Sequence, residues 1–448
     1  MFTYPCGGVR DRLTPPSYGS GVSSSPTTRP APRVAVLADT DSRWKWAVQL
    51  SKRLHPAAVL SGYQLATVER PSDRQLVAAG IEPHLVRTAT PADLVAFLAA
   101  HTPDVLVIAL PGGGCQAMLH LLAAADLPHR PLVVTGYVGV VYEKVVEGLL
   151  MRAGADVIAA NSPSDFDRFS SALTGAGVDP SCLTLTRLPF LGEAEARSDK
   201  ARRYTVTFAG QPGVPGSRAH RRYLVERLVQ HARLHPGRDV LIKLRSVRGE
   251  RVTHEEPYPY DDLLRRLGPD RPANLKIAVG DMGVVLTHTD LLVTVSSTAA
   301  AESIHRGVPT ALLTDFGIRE SVGNAYFLGS GCLASFDALD RGAAPTADER
   351  WARRHGLGAS VDRLPSRVAE LLAAGPLPPL RPFYTTEKAR AFLPGLLANY
   401  GVGADGLPLH EGQGRPGALR AVVRSSARSM YRQGANVVAP ALRKLAAL

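Results

Sequence analysis

Cysteine is scarce in this sequence: Cys6, Cys115, Cys182 and Cys332 stand far apart and form no C-x-x-C pair. That spacing excludes a disulfide scaffold and a structural zinc site, and it fits a reducing cytoplasm. Long hydrophobic runs are also missing. No window approaches the roughly 18 unbroken apolar residues that a membrane span needs, so a soluble chain is expected. Aromatic residues are only 6% of the whole and are not interleaved with the basic ones, which argues against nucleic acid despite a formal net charge of +12. Much of that charge is local, because seven basic residues and no acidic one occur from Gln413 onward. Residues 1–32, rich in Pro, Ser, Thr and Gly, lack an apolar core of signal-peptide length and read as a disordered leader.

What is present is a rhythm. The chain is about three times the usual single-domain length, so two cores are expected. Short apolar runs at 33–38, 104–110, 131–135, 156–159 and 183–188 alternate with amphipathic stretches at 42–54, 91–100, 142–153 and 164–172. This is the pattern of a parallel sheet covered by helices. A polar connection at 191–203 leads into a second series, with strands at 204–209, 240–244, 274–279, 291–295 and 310–313. A Gly and Pro cluster at 375–382 ends that series, a further helix is expected over 385–400, and 401–414 is a Gly-rich spacer. The expected fold class is α/β, with two doubly wound Rossmann-like domains at 33–190 and 204–375. A ligand then belongs in the cleft between the carboxyl ends of the two sheets.

The most informative segment is 290–317, DLLVTVSSTAAAESIHRGVPTALLTDFG. An apolar strand runs into Ser296, Ser297 and Thr298, and a helix carrying Glu302 follows. Backbone N–H groups at such a start, with hydroxyl donors beside them, suit a phosphate. A plain N-cap with Glu302 favouring the helix dipole is the structural alternative. The segment resembles the nucleotide-sugar signature in the C-terminal domain of GT-B glycosyltransferases, in which a strand, an S-S/T turn, an A-x-x-E helix and G-x-P recur. Its two serines are similar to those of bacterial sialyltransferases and capsule polysaccharide transferases. The whole chain also resembles an actinobacterial glycosyltransferase family of uncharacterised activity.

This resemblance implies an acceptor-side domain followed by a nucleotide-sugar-binding domain. In the second, Gly210 lies in a loop close to the donor, Lys243 and Arg245 bring cations to the leaving phosphate, and Asp281 and Met282 flank the nucleobase. Ser296, Ser297, Thr298 and Glu302 hold phosphate and ribose. The sialyltransferase-like proteins carry His-Pro after the lysine; here Arg245-Ser246 follows, and His254 is the nearby substitute or simply a solvated loop residue. Many retaining GT-B enzymes carry E-x7-E, and the place of its first glutamate is Thr294 here. An inverting, metal-independent transfer with no cofactor beyond the nucleotide-sugar substrate is the expectation.

Inversion needs a base for the acceptor hydroxyl. Asp39 and Asp41 follow the first strand and are its candidates; the alternatives are helix capping by Asp41 or Ser42 and a D-x-D divalent-metal site, which belongs to a different glycosyltransferase fold. Glu143 is a third acid or base candidate, or a charge favouring a helix start. Gly113, Gly136, Tyr137 and Gly139 lie in loops expected to face the acceptor. The arginines at 420, 424, 428 and 432 recur every four residues, so 414–448 reads as a basic amphipathic tail, either for an anionic membrane surface at the inner face of the cell membrane or for a packed or solvated helix. The acceptor is then a cell-envelope glycan, a lipid-linked glycan or a secondary metabolite. Nucleotide-sugar 2-epimerases share the architecture and stay open as an alternative, as does a non-catalytic nucleotide- or glycan-binding protein.

Overall fold

The first sheet grows outward from a strand, Arg33–Ala38, whose last five residues are apolar and buried, and the second from a buried strand, Thr205–Ala209, in which two threonines alternate with apolar residues. In a computed structural model, residues 31–66, 70–141, 145–189, 191, 202–211, 213–244, 256, 258–358 and 361–409 are described. The first sheet contains β1 (Arg33–Ala38), β2 (Val59–Leu65), β3 (Val86–Ala89), β4 (Val105–Ala109), β5 (Leu132–Gly136), β6 (Val157–Ala160) and β7 (Leu183–Leu185). Its order is β3-β2-β1-β4-β5-β6-β7. The second contains β8 (Thr205–Ala209), β9 (Asp239–Lys243), β10 (Leu275–Ala278), β11 (Leu291–Thr294), β12 (Thr310–Leu313) and β13 (Leu333–Ala334), ordered β10-β9-β8-β11-β12-β13. Neighbouring strands run parallel throughout. Both sheets reverse direction beside their first strand, as in a Rossmann fold, so each has a crevice at its switch point. Two doubly wound sheets in one chain are the α/β, GT-B arrangement expected from the sequence.

The helices of the first half are α1 (Asp41–Leu54), α2 (Asp73–Ala79), α3 (Pro91–His101), α4 (Gly112–Ala124), α5 (Val145–Leu150) and α6 (Pro163–Gly175). Those that follow are α7 (Arg218–Leu234), α8 (Tyr260–Arg265), α9 (Met282–Leu286), α10 (Ala299–His305), α11 (Phe336–Asp340), α12 (Glu349–Arg354), α13 (Leu364–Ala373) and α14 (Leu393–Ala398). All belong to the unit that begins at Pro32. None of the described helices is long and apolar enough to cross a membrane.

Local chemistry sets several of the helix starts. Ser72 with Gln75 and Thr90 with Asp93 form capping boxes for α2 and α3. Asp41 stands in the first turn of α1, with Lys52 and Arg53 in the last, an order that complements the helix dipole.

Four expectations shift. Strands β2 and β3 have no counterpart in the sequence reading. Gly62 breaks the apolar run of β2 because the Trp44 ring lies where its side chain would be, and Arg87 and Thr88 leave β3 exposed at the sheet edge. The helix expected over 385–400 contracts to α14, since Pro394 admits a helix only in its first turn. The helix expected over 142–153 is described only as α5, and residues 142–144 lie outside the described set. Finally, α13 belongs by packing to the first half: Leu364 and Val368 join the core around Val36, Trp46 and Val134. Leu393, Leu397 and Val402 join the opposite core of the same sheet, with Leu106, Ile108 and Leu119. The chain therefore visits the second sheet and returns to the first.

Candidate active site

At the switch point of the second sheet, the loops after β8 and β11 are bolted together. The Ser296 N–H donates to Gln211 Oε1 at 2.9 Å, and Gln211 Nε2 donates to Ser296 Oγ at 3.3 Å. The Ser296 hydroxyl in turn donates to the Val322 carbonyl at 2.7 Å, and the residue is buried. Ser297 Oγ accepts the Ala299 N–H at 3.2 Å. Thr298 is exposed at the N-cap of α10 and makes no side-chain capping bond. Of the three hydroxyl residues, Ser296 is therefore structural, Ser297 shapes the turn, and Thr298 faces outward.

Glu302 sits one turn into α10. Burial pushes its carboxyl up to about 7, against the pull of the Lys45 cation; Asp281 adds to the rise, and Arg306 and Lys243 oppose it. These five charged groups come from α1, β9, the start of α9 and both ends of α10. Lys45 Nζ lies 3.4 Å from Asp281 Oδ2. Asp281 caps α9 by accepting the Gly283 N–H at 2.8 Å. Burial would raise the Asp281 carboxyl, but Lys45 and the Gly283 and Val284 N–H groups together hold it below its usual value. Lys243 is buried at the end of β9 and donates to the Leu244 carbonyl at 2.6 Å. Met282 packs beside Ala209, Leu286, Leu292 and Ala299. Gly210 leaves room for the Tyr260 ring, which would lie 3.0 Å from an added Cβ.

On the first sheet, Asp39 is buried directly after β1 and receives Arg43 Nη1 at 2.8 Å. Asp41 is the first residue of α1, whose N-cap is Thr40. The loop after β5 reaches the second half: Gly139, at φ +82°, stands where an added Cβ would be 3.2 Å from Thr298 Cγ2. This conformation and this approach both favour glycine.

Other acceptor-side candidates are absorbed by packing. The space beside Gly136 is filled by Trp46 and Ala159, and the space beside Gly113 by Leu396 and Tyr400. Tyr137 donates its hydroxyl to the Val145 carbonyl at 2.9 Å, and its ring lies 4.3 Å from the Arg152 guanidinium. Burial raises its phenol to about 12. Glu143, Arg245, His254 and the tail at 414–448 lie outside the described residues.

The structure thus gathers Lys243, Asp281 and Glu302, brings Thr298 to Gly139, and leaves Gly113 and Gly136 in packed surroundings. Sequence reasoning passed over Lys45, Arg306 and Arg152. Lys45 lies one turn after Asp41, between the buried Trp44 and Trp46, a lone cation beside an apolar stripe. Arg152 closes the carboxyl ends of β4 and β5, donating to the carbonyls of Gly136, Gly148 and Leu110 at 3.0, 2.7 and 3.1 Å. Thr294 is wholly buried and donates to the Ala209 carbonyl at 2.9 Å. Among the described residues, no group of three or more His, Cys, Asp or Glu side chains is placed to hold a metal ion.

A family model described as "Putative glycosyltransferase (DUF6716)" matches residues 34–371, across both sheets. No curated protein matches the chain. Among solved structures, the chain is similar to the S. aureus MnaA–UDP complex, with 12% identity and a TM-score of 0.48 over 73% of this chain and 91% of that one. A UDP-GlcNAc 2-epimerase from Neisseria meningitidis bound to UDP-GlcNAc matches at 10% identity and 0.44, over 76% and 99%. Phytolacca americana UGT2, complexed with UDP-2-fluoro-glucose and pterostilbene, matches at 14% and 0.43, over 76% and 90%.

Proposed function

The chain belongs to the family described as "Putative glycosyltransferase (DUF6716)", and on that premise we propose that it moves a sugar from a nucleotide-sugar to a cell-envelope glycan, lipid-linked or secondary-metabolite acceptor. The observation that carries this reading is the charged cluster of Lys45, Lys243, Arg306, Asp281 and Glu302, placed where two Rossmann-order sheets meet. The Lys243 and Arg306 cations balance the phosphate charge that grows as the leaving nucleotide departs. Glu302 accepts hydrogen bonds from ribose hydroxyls, and Ser297 and Thr298 lie beside the phosphate. Asp41 or Asp39 takes the proton of the acceptor hydroxyl as its oxygen attacks the anomeric carbon and the bond to the nucleotide phosphate breaks. The buried hydroxyl of Thr294, standing where retaining relatives carry a glutamate, supports inversion. The scheme uses no metal and no cofactor besides the donor.

Calorimetric titration with UDP, GDP, CDP and CMP is the test. We expect one of them to bind, and failure of all four overturns the reading. Product formed from a nucleotide-sugar without any acceptor points instead to an epimerase. For a lipid-linked acceptor, the basic residues between 415 and 444 supply the attraction to an anionic membrane. Deletion of 414–448 then abolishes binding to anionic liposomes, and unchanged binding removes the membrane role.

A further inference from the structure

Lys45 belongs to the first half but meets the charges of the second. It rides on α1, whose buried residues Trp44, Trp46, Ala47, Val48 and Leu50 are set into the first core. At the far end of α1, Arg53 donates to the carbonyls of Arg187 at 2.8 Å and Leu188 at 3.0 Å, and lies 3.5 Å from the Asp362 carboxylate. Those residues flank the two places where the chain passes between the halves. One helix therefore touches both the crossings and the cleft. The Lys45 link to Asp281 joins side chains that are 32% and 55% exposed. A pair so accessible contributes little to stability, and its value lies in where it puts charge.

We infer that Lys45 is a positioning residue for the donor pocket: through Asp281 and Glu302 it ties the charge of a pocket built on the second sheet to a helix of the first. This rests on the donor-site reading above and deepens it. The groups that face Glu302 are Lys45 from α1, Asp281 from the start of α9, Arg306 from the end of α10 and Lys243 from the end of β9. Burial raises the Glu302 carboxyl to about 7, and Lys45 is the strongest influence in the opposite direction, ahead of Arg306 and Lys243. Removing the Lys45 charge leaves Glu302 more protonated at neutral pH, and its presence favours the carboxylate that accepts ribose hydroxyls.

The test has two readings on the full chain. In the first, the Glu302 carboxyl is titrated by NMR in protein labelled with carboxyl-13C glutamate, its resonance identified by Glu302→Gln, without nucleotide. Lys45→Met is expected to move the midpoint up, Asp281→Asn to move it down, and Lys45→Arg to leave it near that of the parent. An unmoved or lowered midpoint in Lys45→Met overturns the inference, as does a raised one in Asp281→Asn.

In the second, affinity is measured for whichever of UDP, GDP, CDP and CMP the parent binds. Lys45→Met should weaken it roughly two- to fivefold at pH 7, and the loss should shrink at pH 8.5, where Glu302 is ionised in both proteins. A loss of equal size at both pH values means that Lys45 supports the fold or touches the nucleotide directly, and the inference falls. If no nucleotide binds, the proposed function fails while the carboxyl titration still decides the role of Lys45.

Discussion

The two sheets share a strand order yet close their carboxyl ends differently. In the first, Arg152 spends its guanidinium on the carbonyls of Leu110, Gly136 and Gly148, and Asn161 Nδ2 donates to the carbonyls of Tyr137 and Gly139. The ends of β4, β5 and β6 are thus closed by side chains bound to main chain, to one side of the switch point between β1 and β4. In the second, the loops are bolted by Gln211 and Ser296, and beside the bolt Glu302 feels the charges of Asp281, Lys243 and Arg306. A shared topology thus marks where a ligand fits, and the local side-chain chemistry decides which part of each sheet's end is left to take one.

The proposed function puts proton transfer beside β1 of the first sheet and nucleotide binding at the second, and that division can be broken. The largest effect is expected from Asp41→Asn or Asp39→Asn, which should lower turnover on the order of 10² to 10⁴-fold at unchanged nucleotide affinity by calorimetry. Weakened nucleotide binding in either would erase the division. Next, Arg152→Ala should cost about 3 kcal/mol of stability in urea melts, because it strands buried carbonyls. A negligible loss would mean that the ends of β4 and β5 are more open than their hydrogen bonds imply.

Smaller effects come from two acids whose carboxyls are raised by burial, one in each half. Glu302 holds its proton to about 7 against an ordinary 4.5. The native state therefore binds more protons than the unfolded chain within that window, and stability falls as pH rises through it. Glu302→Gln removes this loss, so its gain over the parent should grow from pH 4.5 to 7 and level off above, at about 2 kcal/mol or less. The same change should weaken nucleotide binding. Asp165, on α6 of the first half, is pushed up by burial to about 6 against an ordinary 3.8. Asp165→Asn should gain about 1 kcal/mol above pH 6, with nucleotide affinity untouched. Thermal melts across pH, run beside titrations, separate the two.

Much of the frame is legible in the sequence because it depends on local pattern. The runs at 33–38 and 310–313 become β1 and β12 residue for residue, each an apolar stretch ended by turn chemistry. The S-S-T and A-x-x-E spacing places Glu302 one turn into a helix, and α10 carries it there. Gly113 and Gly136 show the limit of such reading: a glycine announces that something comes close, but Tyr400 and Trp46 arrive from distant parts of the chain. Lys45 is illegible for the same reason, since its partner Asp281 is 236 positions away and only the approach of two sheets joins them. Strand β2 escapes because Gly62 interrupts its apolar run, and β3 because Arg87 and Thr88 dilute an apolar signal that a strand at the sheet edge does not need in full.

The return of the chain to its first sheet bears on how the protein is made. Leu364, Leu393, Leu397 and Val402 complete cores begun by β1, β4 and β5, whereas the second sheet is built from one continuous stretch. During synthesis at about 5–20 residues per second, the first half waits on the order of ten seconds or more, unfinished, while the later half emerges and can already fold. The segment translated in the middle is then the first to complete its core, and a chain cut short before residue 364 carries the second sheet beside a first one missing part of its covering.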